Sequence, residues 1–534
     1  MITRKNYITS YLFLLILIFF TFILFVNYFT SDAQGAFVIL LILAFFSIIS
    51  FFKFEVSLLL FIFFIPLYHV VGRFFGVSRF FTIVSMFIGC LFGGILYLAK
   101  QKKLLIDLNQ KISTPIIIFT IFITISFLFV YLRIYDYLSF YKHYFRDYVL
   151  NVNLRSSDGG FDLAVYQYLN YFCGFLFLFL ITKINITRKL INRIFYALFF
   201  SNTIVFLSLL YQVIVNPYFM GQSTGIGDQS WIAANTFANR YGSTLVDPNS
   251  LGIYSIIILL AFIGFAYYFK VKSKIIISGI AIFECSVLLM FSGSRTGLLG
   301  LLIIILFYIF VLIYFIARKV YRRKKINNVS NRKILIISAV SFLIIIILFS
   351  AASIFTLKSL DDDLLPVTLK RIKTDILLFS EGNIREAVGS FLGGRESLWK
   401  AAYYVVKDYP ISGVGIGMIT VELPNYGKYY GITELPDDMA DNYYLQVMAE
   451  LGVFALIVNL WIFWTFIRPF RMAMVNIEDN RLKYLILNIF LILPVMLIMF
   501  IFGPHTYFME IAFLFYFFVG IVINFGNKYI KNYT

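Results

Sequence analysis

Apolar runs of about 20 residues recur along nearly the whole chain, each long enough to cross the roughly 30 Å hydrocarbon core of a bilayer as a helix. The composition agrees, because 61% of the residues are hydrophobic and only 13% are charged. A soluble domain does not have this composition. We therefore predict an all-α protein, with residues 1–534 forming one polytopic integral membrane bundle.

The apolar runs predict a bundle of 12–14 transmembrane helices. The fourteen candidate spans are 8–29, 36–52, 54–72, 80–99, 113–132, 164–182, 194–214, 250–269, 275–291, 297–316, 333–357, 445–466, 483–503 and 509–525. The first run exceeds the roughly 7 to 15 apolar residues of a secretory signal core, so we expect a retained anchor there.

Basic residues predict the side of each connection, because Lys and Arg next to spans are retained in the cytoplasm. They cluster at 100–111, 183–193, 270–274 and 318–325. We therefore expect a multi-pass protein of the cytoplasmic (inner) membrane with both termini in the cytoplasm. The connections expected outside are 133–163, 215–249, 292–296, 358–444 and 504–508. The longest, 358–444, is predicted to be a large extracytoplasmic loop containing short amphipathic helices.

The net charge of +18 has two explanations: attraction of nucleic acid or other anionic ligands, or orientation signals combined with attraction to anionic lipid. The basic clusters lie where orientation signals belong, so we expect no nucleic-acid partner. Cys90, Cys173 and Cys285 fall inside candidate spans without metal-binding or redox spacing. We expect neither a disulfide nor a metal site.

Four charged residues in the outer connections are candidates for chemistry: Arg240, Arg295, Arg395 and Asp441. The alternative for each arginine is a long side chain that snorkels to the membrane boundary. For Arg295, in FSGSRTGLLG, we favour function, since a simple turn tolerates Ser or Asn and a bidentate guanidinium suits phosphate or pyrophosphate. For Arg240, ligand contact and snorkelling stay equally open.

Arg395 precedes a segment, 396–406, whose apolar residues recur at helical spacing. We predict an amphipathic helix on the outer membrane surface. Arg395 would project from the helix start, where free backbone amides already favour anions.

Two neighbouring segments have structural explanations. Asp247 followed by Pro248 predicts the N-cap and first turn of the span that follows. The alternating Gly413, Gly415 and Gly417 either let the backbone approach a sugar or phosphate or form a flexible connector.

The segment DNYYLQVMAELG lies where the large outer loop ends and span 445–466 begins. Asp441 is a preferred N-cap residue, a role compatible with chemistry. If the helix starts there, Asn442, Gln446 and Glu450 follow at four-residue spacing as a polar stripe. Polar residues in a span are costly, so we expect this stripe to line the active cavity.

In this order, the motifs resemble those of the bacterial O-antigen ligases and the O-antigen or capsular polysaccharide polymerases, which share a polytopic fold. The similar residues are Arg240 with Pro248 and Asn249, Arg295 in a short Ser-Arg turn, Arg395 before a helix containing Trp399, the Pro and Gly-x-Gly-x-Gly segment, and the closing run Asp441, Asn442, Tyr444, Leu445, Gln446, Glu450 and Gly452. The resemblance covers residues 240–456. The ligases carry His in place of Asp441, and this departure favours a polymerase.

The resemblance implies a glycosyltransferase that polymerises undecaprenyl-pyrophosphate-linked repeat units into O-antigen or capsular or exopolysaccharide on the outer membrane face. Our hypothesis for the mechanism is catalysis by Arg295, Arg395 and Asp441 without metal or cofactor. The expected substrate contacts are Arg240, Asn249, Trp399, Asn442, Gln446 and Glu450, with His505 as a reserve base.

In this scheme the arginines hold the pyrophosphate leaving group, and Asp441 orients or deprotonates the attacking hydroxyl. Reference pKa values near 3.9 for Asp and 6.5 for His make aspartate the weaker base by about 2.6 units. We therefore expect Asp441 to accept its proton late in the reaction or chiefly to align the acceptor.

The implied partners are lipid-linked glycans as donor and acceptor and the bilayer itself, with a chain-length regulator and a flippase as further candidates. A ligase or a protein O-oligosaccharyltransferase, using the same donor, stays open. A lipid-linked oligosaccharide flippase or other transporter is a third alternative. The sequence disfavours a transporter, because it contains no convincing internal repeat and its charged candidates lie in loops.

Overall fold

A computed structural model describes residues 33–101, 111–132, 143–220, 240–323, 373–374, 377–378, 381, 395–432, 435 and 439–530. Across these residues the regular secondary structure is helical, without β-strands. The all-α prediction is confirmed.

The helices alternate between long apolar elements and short ones near the connections. In chain order the α-helices are α1 Ala33–Phe52, α2 Phe54–Phe64, α3 Tyr68–Phe74, α4 Arg79–Lys100, α5 Ser113–Tyr131, α6 His143–Lys183, α7 Arg188–Ile214, α8 Pro248–Tyr268, α9 Lys272–Ser292, α10 Arg295–Arg323, α11 Arg395–Asp408, α12 Ile419–Tyr429, α13 Tyr443–Leu451, α14 Val453–Thr465, α15 Ile467–Asn476, α16 Asn480–Met499 and α17 Met509–Ile530. Short 3₁₀ turns lie at Ile65–Leu67, Ser243–Leu245, Phe500–Phe502 and His505–Tyr507.

Within the described residues, 12 helical segments are long and apolar enough to cross a membrane. Each overlaps one of the predicted spans, so the polytopic bundle is confirmed. The predicted spans 8–29 and 333–357 lie outside the described residues.

The predicted span 445–466 is wrong at its start, because the chain forms two helices there and the apolar span is Val453–Asn476. Gly452 separates them with a φ of 86°, and an added Cβ would stand 1.9 Å from the Ile411 carbonyl oxygen. A helix cannot continue through this left-handed conformation. The polar helix α13 is therefore separate from the span.

The core of the bundle is built around α17, in which every residue of an apolar 18-residue stretch is buried. It packs mainly on α6 and α15, while α8 packs on α9 and α16, and α1 packs on α4. In contrast, only 28% of the residues in an apolar stretch of the same length are buried in α1, and only 22% in α10. These peripheral helices present apolar surface suited to lipid contact.

Helices α11, α12 and α13 form a smaller second core. Its buried side chains include Leu398, Ala402, Val405, Leu423 and Ala449. Helix α11 is the predicted amphipathic helix, and its existence is confirmed. Its apolar face packs on α12 and α13, so the expected position flat on the membrane surface is replaced by burial against protein.

The bundle has two chemically distinct ends. At the first, α8, α10 and α17 begin, α9 and α16 end, and α11 to α13 cluster; we call it the loop end. At the opposite end, basic residues lie in or beside the connections α6–α7, α8–α9 and α15–α16; we call it the basic end. The four candidate charged residues all lie at the loop end.

Candidate active site

Arg240 is held against the ends of α8 and α9. Its Nη2 donates a hydrogen bond to Asn249 Oδ1 at 2.8 Å, and its Nε donates to the Ser292 carbonyl oxygen at 3.4 Å. Its aliphatic stem lies over Gly293, where an added Cβ would be 2.8 Å from Arg240 Cγ. These contacts fix the guanidinium at the loop end and join Arg240 to Asn249.

Asp247 is the N-cap of α8, as predicted. Its carboxylate accepts from the backbone N–H of Asn249 at 2.9 Å and of Ser250 at 3.2 Å. Burial raises the pKa of Asp247, while these hydrogen bonds and the nearby Arg240 act in the opposite direction. Asp247 therefore caps α8 and also places a carboxyl group close to Arg240.

Arg295 is the first residue of α10, directly after the turn at Gly293 and Ser294. Ser294 caps α10, since its Oγ accepts from the Gly297 N–H at 3.1 Å. Arg295 is half-buried, and its Nε is shielded from solvent. A guanidinium thus stands at a helix start, where backbone amides favour anions, beside the turn that Arg240 contacts.

Arg395 and Asp441 form an ion pair across 46 positions of sequence. Arg395 Nε donates to Asp441 Oδ2 at 3.1 Å, and the two side chains are 14% and 32% exposed. Trp399, one turn further along α11, donates from Nε1 to the Asp441 carbonyl oxygen at 3.1 Å. Helix α11 therefore holds both the carboxylate and the backbone of Asp441.

The N-cap of α13 is Asn442, so the capping role predicted for Asp441 is wrong by one residue. Asn442 Oδ1 accepts from the Leu445 N–H at 3.1 Å. Asp441 precedes the cap with a φ of 48°, in the left-handed region that Asp tolerates better than most residues. Its carboxylate pairs with Arg395 instead of capping the helix.

Gln446 and Glu450 lie in a closed hydrogen-bond network. Gln446 Nε2 donates to Glu450 Oε1 at 2.6 Å, and Gln446 Oε1 accepts from the Ala440 N–H at 2.8 Å. The Tyr507 hydroxyl donates to the second carboxylate oxygen of Glu450. Glu450 is 0% exposed, and burial raises its pKa to about 7. The predicted polar stripe is packed against protein here, and its contact with substrate stays a prediction.

The segment with the three alternating glycines packs against the end of α13. Gly413, Gly415 and Gly417 all have positive φ, and the Gly415 N–H donates to the Glu450 carbonyl oxygen at 3.0 Å. An added Cβ at Gly413 would stand 2.2 Å from the Glu450 carbonyl carbon. The glycines therefore let this segment approach the protein's own backbone closely. The segment is ordered and packs against α13.

His505 is buried in the 3₁₀ turn between α16 and α17. Its Nε2 lies 3.2 Å from the Met499 carbonyl oxygen. Burial, and then the positive charge of Arg395, lower the pKa of His505 to about 3. Met499 also reaches α10, where an added Cβ at Gly300 would be 2.8 Å from its sulfur. His505 and Met499 thus connect the helix that carries Arg295 with the surroundings of Arg395.

Sequence reasoning missed the polar residues that fix this turn from other helices. Asn170 Nδ2 in α6 donates to the carbonyl oxygens of Thr506 at 2.7 Å and Tyr507 at 3.0 Å. The Tyr68 hydroxyl donates to Glu510 Oε2 at 2.7 Å. Polar residues that interrupt apolar spans, such as Asn170 and Glu510, are the signal that would have identified them.

The described part of the chain contains no cluster of three or more His, Cys, Asp or Glu side chains able to hold a metal ion. The charged groups at the loop end are instead guanidiniums and single carboxylates. Such a set suits phosphate or pyrophosphate, which planar N–H donors bind in a bidentate manner.

Comparison with known proteins gives a family match to part of the chain. No curated protein matches the chain. A family model described as O-antigen ligase matches residues 280–460, a segment that contains Arg295, Arg395, Trp399 and Asp441. The match supports a relationship of this chain to the O-antigen ligase and polymerase family of membrane enzymes, which act on lipid-linked glycans.

Proposed function

We propose that the protein is a polysaccharide polymerase of the cytoplasmic membrane, with its loop end on the extracytoplasmic face. It would join undecaprenyl-pyrophosphate-linked repeat units by glycosyl transfer. The observation that carries the proposal is the Arg395–Asp441 ion pair at the loop end, with Nε and Oδ2 3.1 Å apart, inside the segment that matches the family. It brings a phosphate-binding group and a proton acceptor together.

The reaction forms a bond between an acceptor hydroxyl oxygen and the anomeric carbon of the donor sugar. The bond between that carbon and the pyrophosphate oxygen breaks, and undecaprenyl pyrophosphate leaves with the bonding electrons. The hydroxyl proton passes to the Asp441 carboxylate. Arg295 and Arg395, with Arg240 nearby, stabilise the negative charge that develops on the leaving group.

The ion pair with Arg395 would control the proton affinity of Asp441 during the reaction. A pyrophosphate that binds Arg395 competes with Asp441 for the guanidinium. This competition weakens the pair and raises the proton affinity of the carboxylate when the acceptor arrives. Asp441 thereby becomes a better base in the substrate complex than in the free protein.

His505 is a poor replacement for Asp441. Its pKa of about 3 makes it a weaker base than an ordinary aspartate, and its Nε2 faces the Met499 carbonyl oxygen. We assign His505 a positioning role, in which its neutral ring packs between the end of α16 and the Arg395 region. The reserve-base hypothesis is thus the less favoured one.

An O-antigen ligase is the second candidate, because the matching family model carries that description. A ligase would use the same donor and transfer finished polymer to a different acceptor. Asp441, where the resembling ligases carry His, favours the polymerase. The charged groups at the loop end suit pyrophosphate chemistry in either case, and they do not favour a transporter.

The test is a gel profile of surface polysaccharide in cells that lack the protein and carry either wild type, Arg395→Ala or Asp441→Asn. A polymerase predicts single repeat units on the normal acceptor without the protein, and no restored ladder with either variant. Arg468→Ala, an exposed arginine on α15 away from the loop end, is the matched control and should restore the ladder. Long, unattached lipid-linked polymer in the deletion strain would instead identify a ligase.

A further inference from the structure

The basic end of the bundle holds a cavity of about 490 Å³. Its polar lining consists of Arg188, Asn192, Lys270, Lys274, Asp479 and Arg481. These side chains lie in or within about two turns of three connections that are distant in sequence, α6–α7, α8–α9 and α15–α16. Orientation signals need only positive charge near a span. Convergence on one cavity goes beyond that requirement.

The cavity carries a surplus of positive charge, with four basic side chains against the single carboxylate of Asp479. Arg188 is engaged, because its Nη2 lies 3.4 Å from Asp479 Oδ2. Lys274 donates to Asn192 and stands 4.4 Å from the ring centroid of Phe269.

Lys270 and Arg481 differ from these two residues. Within the described residues neither of them makes an ion pair. Among the described residues, the cavity therefore contains two positive charges without a partner carboxylate, while its other charged groups already have partners. Such an excess of positive charge favours the binding of an anion.

We propose that this cavity binds the phosphate headgroup of an anionic phospholipid from the adjoining leaflet. The rings of Tyr268 and Phe269 line the same cavity and give it an apolar wall. Just beside it, Tyr267, Val271 and Ile276 are 62%, 54% and 62% exposed. Such apolar surface suits acyl chains, so a lipid satisfies both the basic cavity and the flank next to it.

The test is native mass spectrometry of the purified full chain in detergent, titrated with phosphatidylglycerol and, separately, with zwitterionic phosphatidylcholine. We expect phosphatidylglycerol to bind at concentrations at which phosphatidylcholine does not bind. Lys270→Ala/Arg481→Ala should weaken phosphatidylglycerol binding roughly 30-fold, because each basic residue near a membrane surface contributes a factor of about five. The matched control, Lys272→Ala/Lys483→Ala, removes the same charge from the same end outside the cavity and should bind like wild type.

A variant that gains binding separates the proposal from simple misfolding. Asp479→Asn removes the only carboxylate among the lining residues and keeps a residue suited to the N-cap of α16, so it should bind phosphatidylglycerol about fivefold more tightly. Equal loss in the two double variants, or equal binding of both lipids, would overturn the proposal. Displacement of phosphatidylglycerol by inorganic phosphate at the same concentration would overturn the lipid assignment in favour of a soluble phosphate.

Discussion

Replacing Asp441 with Asn removes the carboxylate of the Arg395 ion pair and keeps a residue that tolerates the φ of 48°. With side chains 14% and 32% exposed, the pair lies between surface pairs, worth about 0.2–1 kcal/mol, and buried pairs, which cost about 3–5 kcal/mol when broken. We expect a loss of about 1–2 kcal/mol in the free energy of unfolding. The variant should therefore still fold.

The expected effect on catalysis is larger. A positioned general base contributes a factor of about 10² to 10⁴, which corresponds to about 2.7–5.4 kcal/mol in activation free energy at about 1.36 kcal/mol per tenfold. Asp441→Asn should thus lose at least a hundredfold in transfer rate, roughly the lower limit of that range. The assay is the rate of lipid-linked glycan extension by purified protein, normalised to the folded fraction measured by size-exclusion chromatography.

Two further variants separate charge from backbone strain. Asp441→Gly relieves the left-handed conformation, so its folded fraction should equal or exceed that of Asp441→Asn, while its transfer rate stays equally low. Arg395→Lys keeps the positive charge but loses the planar donor geometry, and we expect an intermediate rate. The reasoning is refuted if Asp441→Asn keeps more than a tenth of the wild-type rate, or if its rate falls only in proportion to its folded fraction.

Three other outcomes follow from the structure. Wild type should lose stability as the pH rises from about 4.5 to about 7, because Glu450 releases its proton in the unfolded chain above about 4.5 while burial keeps that proton bound in the folded protein up to about 7, and Glu450→Gln should flatten this part of the pH profile of thermal unfolding. Gly452→Ala should sharply lower the yield of folded protein on size-exclusion chromatography, whereas Gly431→Ala, with positive φ but open space around it, should cost only about 1 kcal/mol. Asn249→Ala should lower the transfer rate less than Arg240→Ala, and the double variant should be no slower than Arg240→Ala alone, since Asn249 acts by holding the guanidinium.

The membrane spans could be predicted from sequence because bilayer thickness imposes one length and one composition on every crossing. The start of the span after the large loop could not. The sequence from Leu445 to Phe466 is mostly apolar, with only scattered polar residues such as Gln446 and Glu450, and the break depends on the close approach of Gly452 to the Ile411 carbonyl oxygen, a contact between segments. Periodicity reports local sequence and carries no information about such a contact.

The sequence proposed the residue types of the candidate site, whose roles stay predictions, but it could not predict which of these residues pair. An arginine before a predicted helix made Arg395 a candidate, yet its ion pair with Asp441 requires α11 to pack on α13. Likewise, four-residue spacing placed Gln446 and Glu450 on one face of a helix. That face meets Tyr507 because a distant turn lies there, held by Asn170.

The most direct test of the central claim is reconstitution of the purified protein in liposomes with a single lipid-linked repeat unit as the only glycan. A polymerase that uses this unit as both donor and acceptor predicts a ladder of lipid-linked oligomers for wild type and none for Asp441→Asn. If wild type leaves the repeat unit unchanged and reacts only when a different acceptor is added, the polymerase proposal is contradicted.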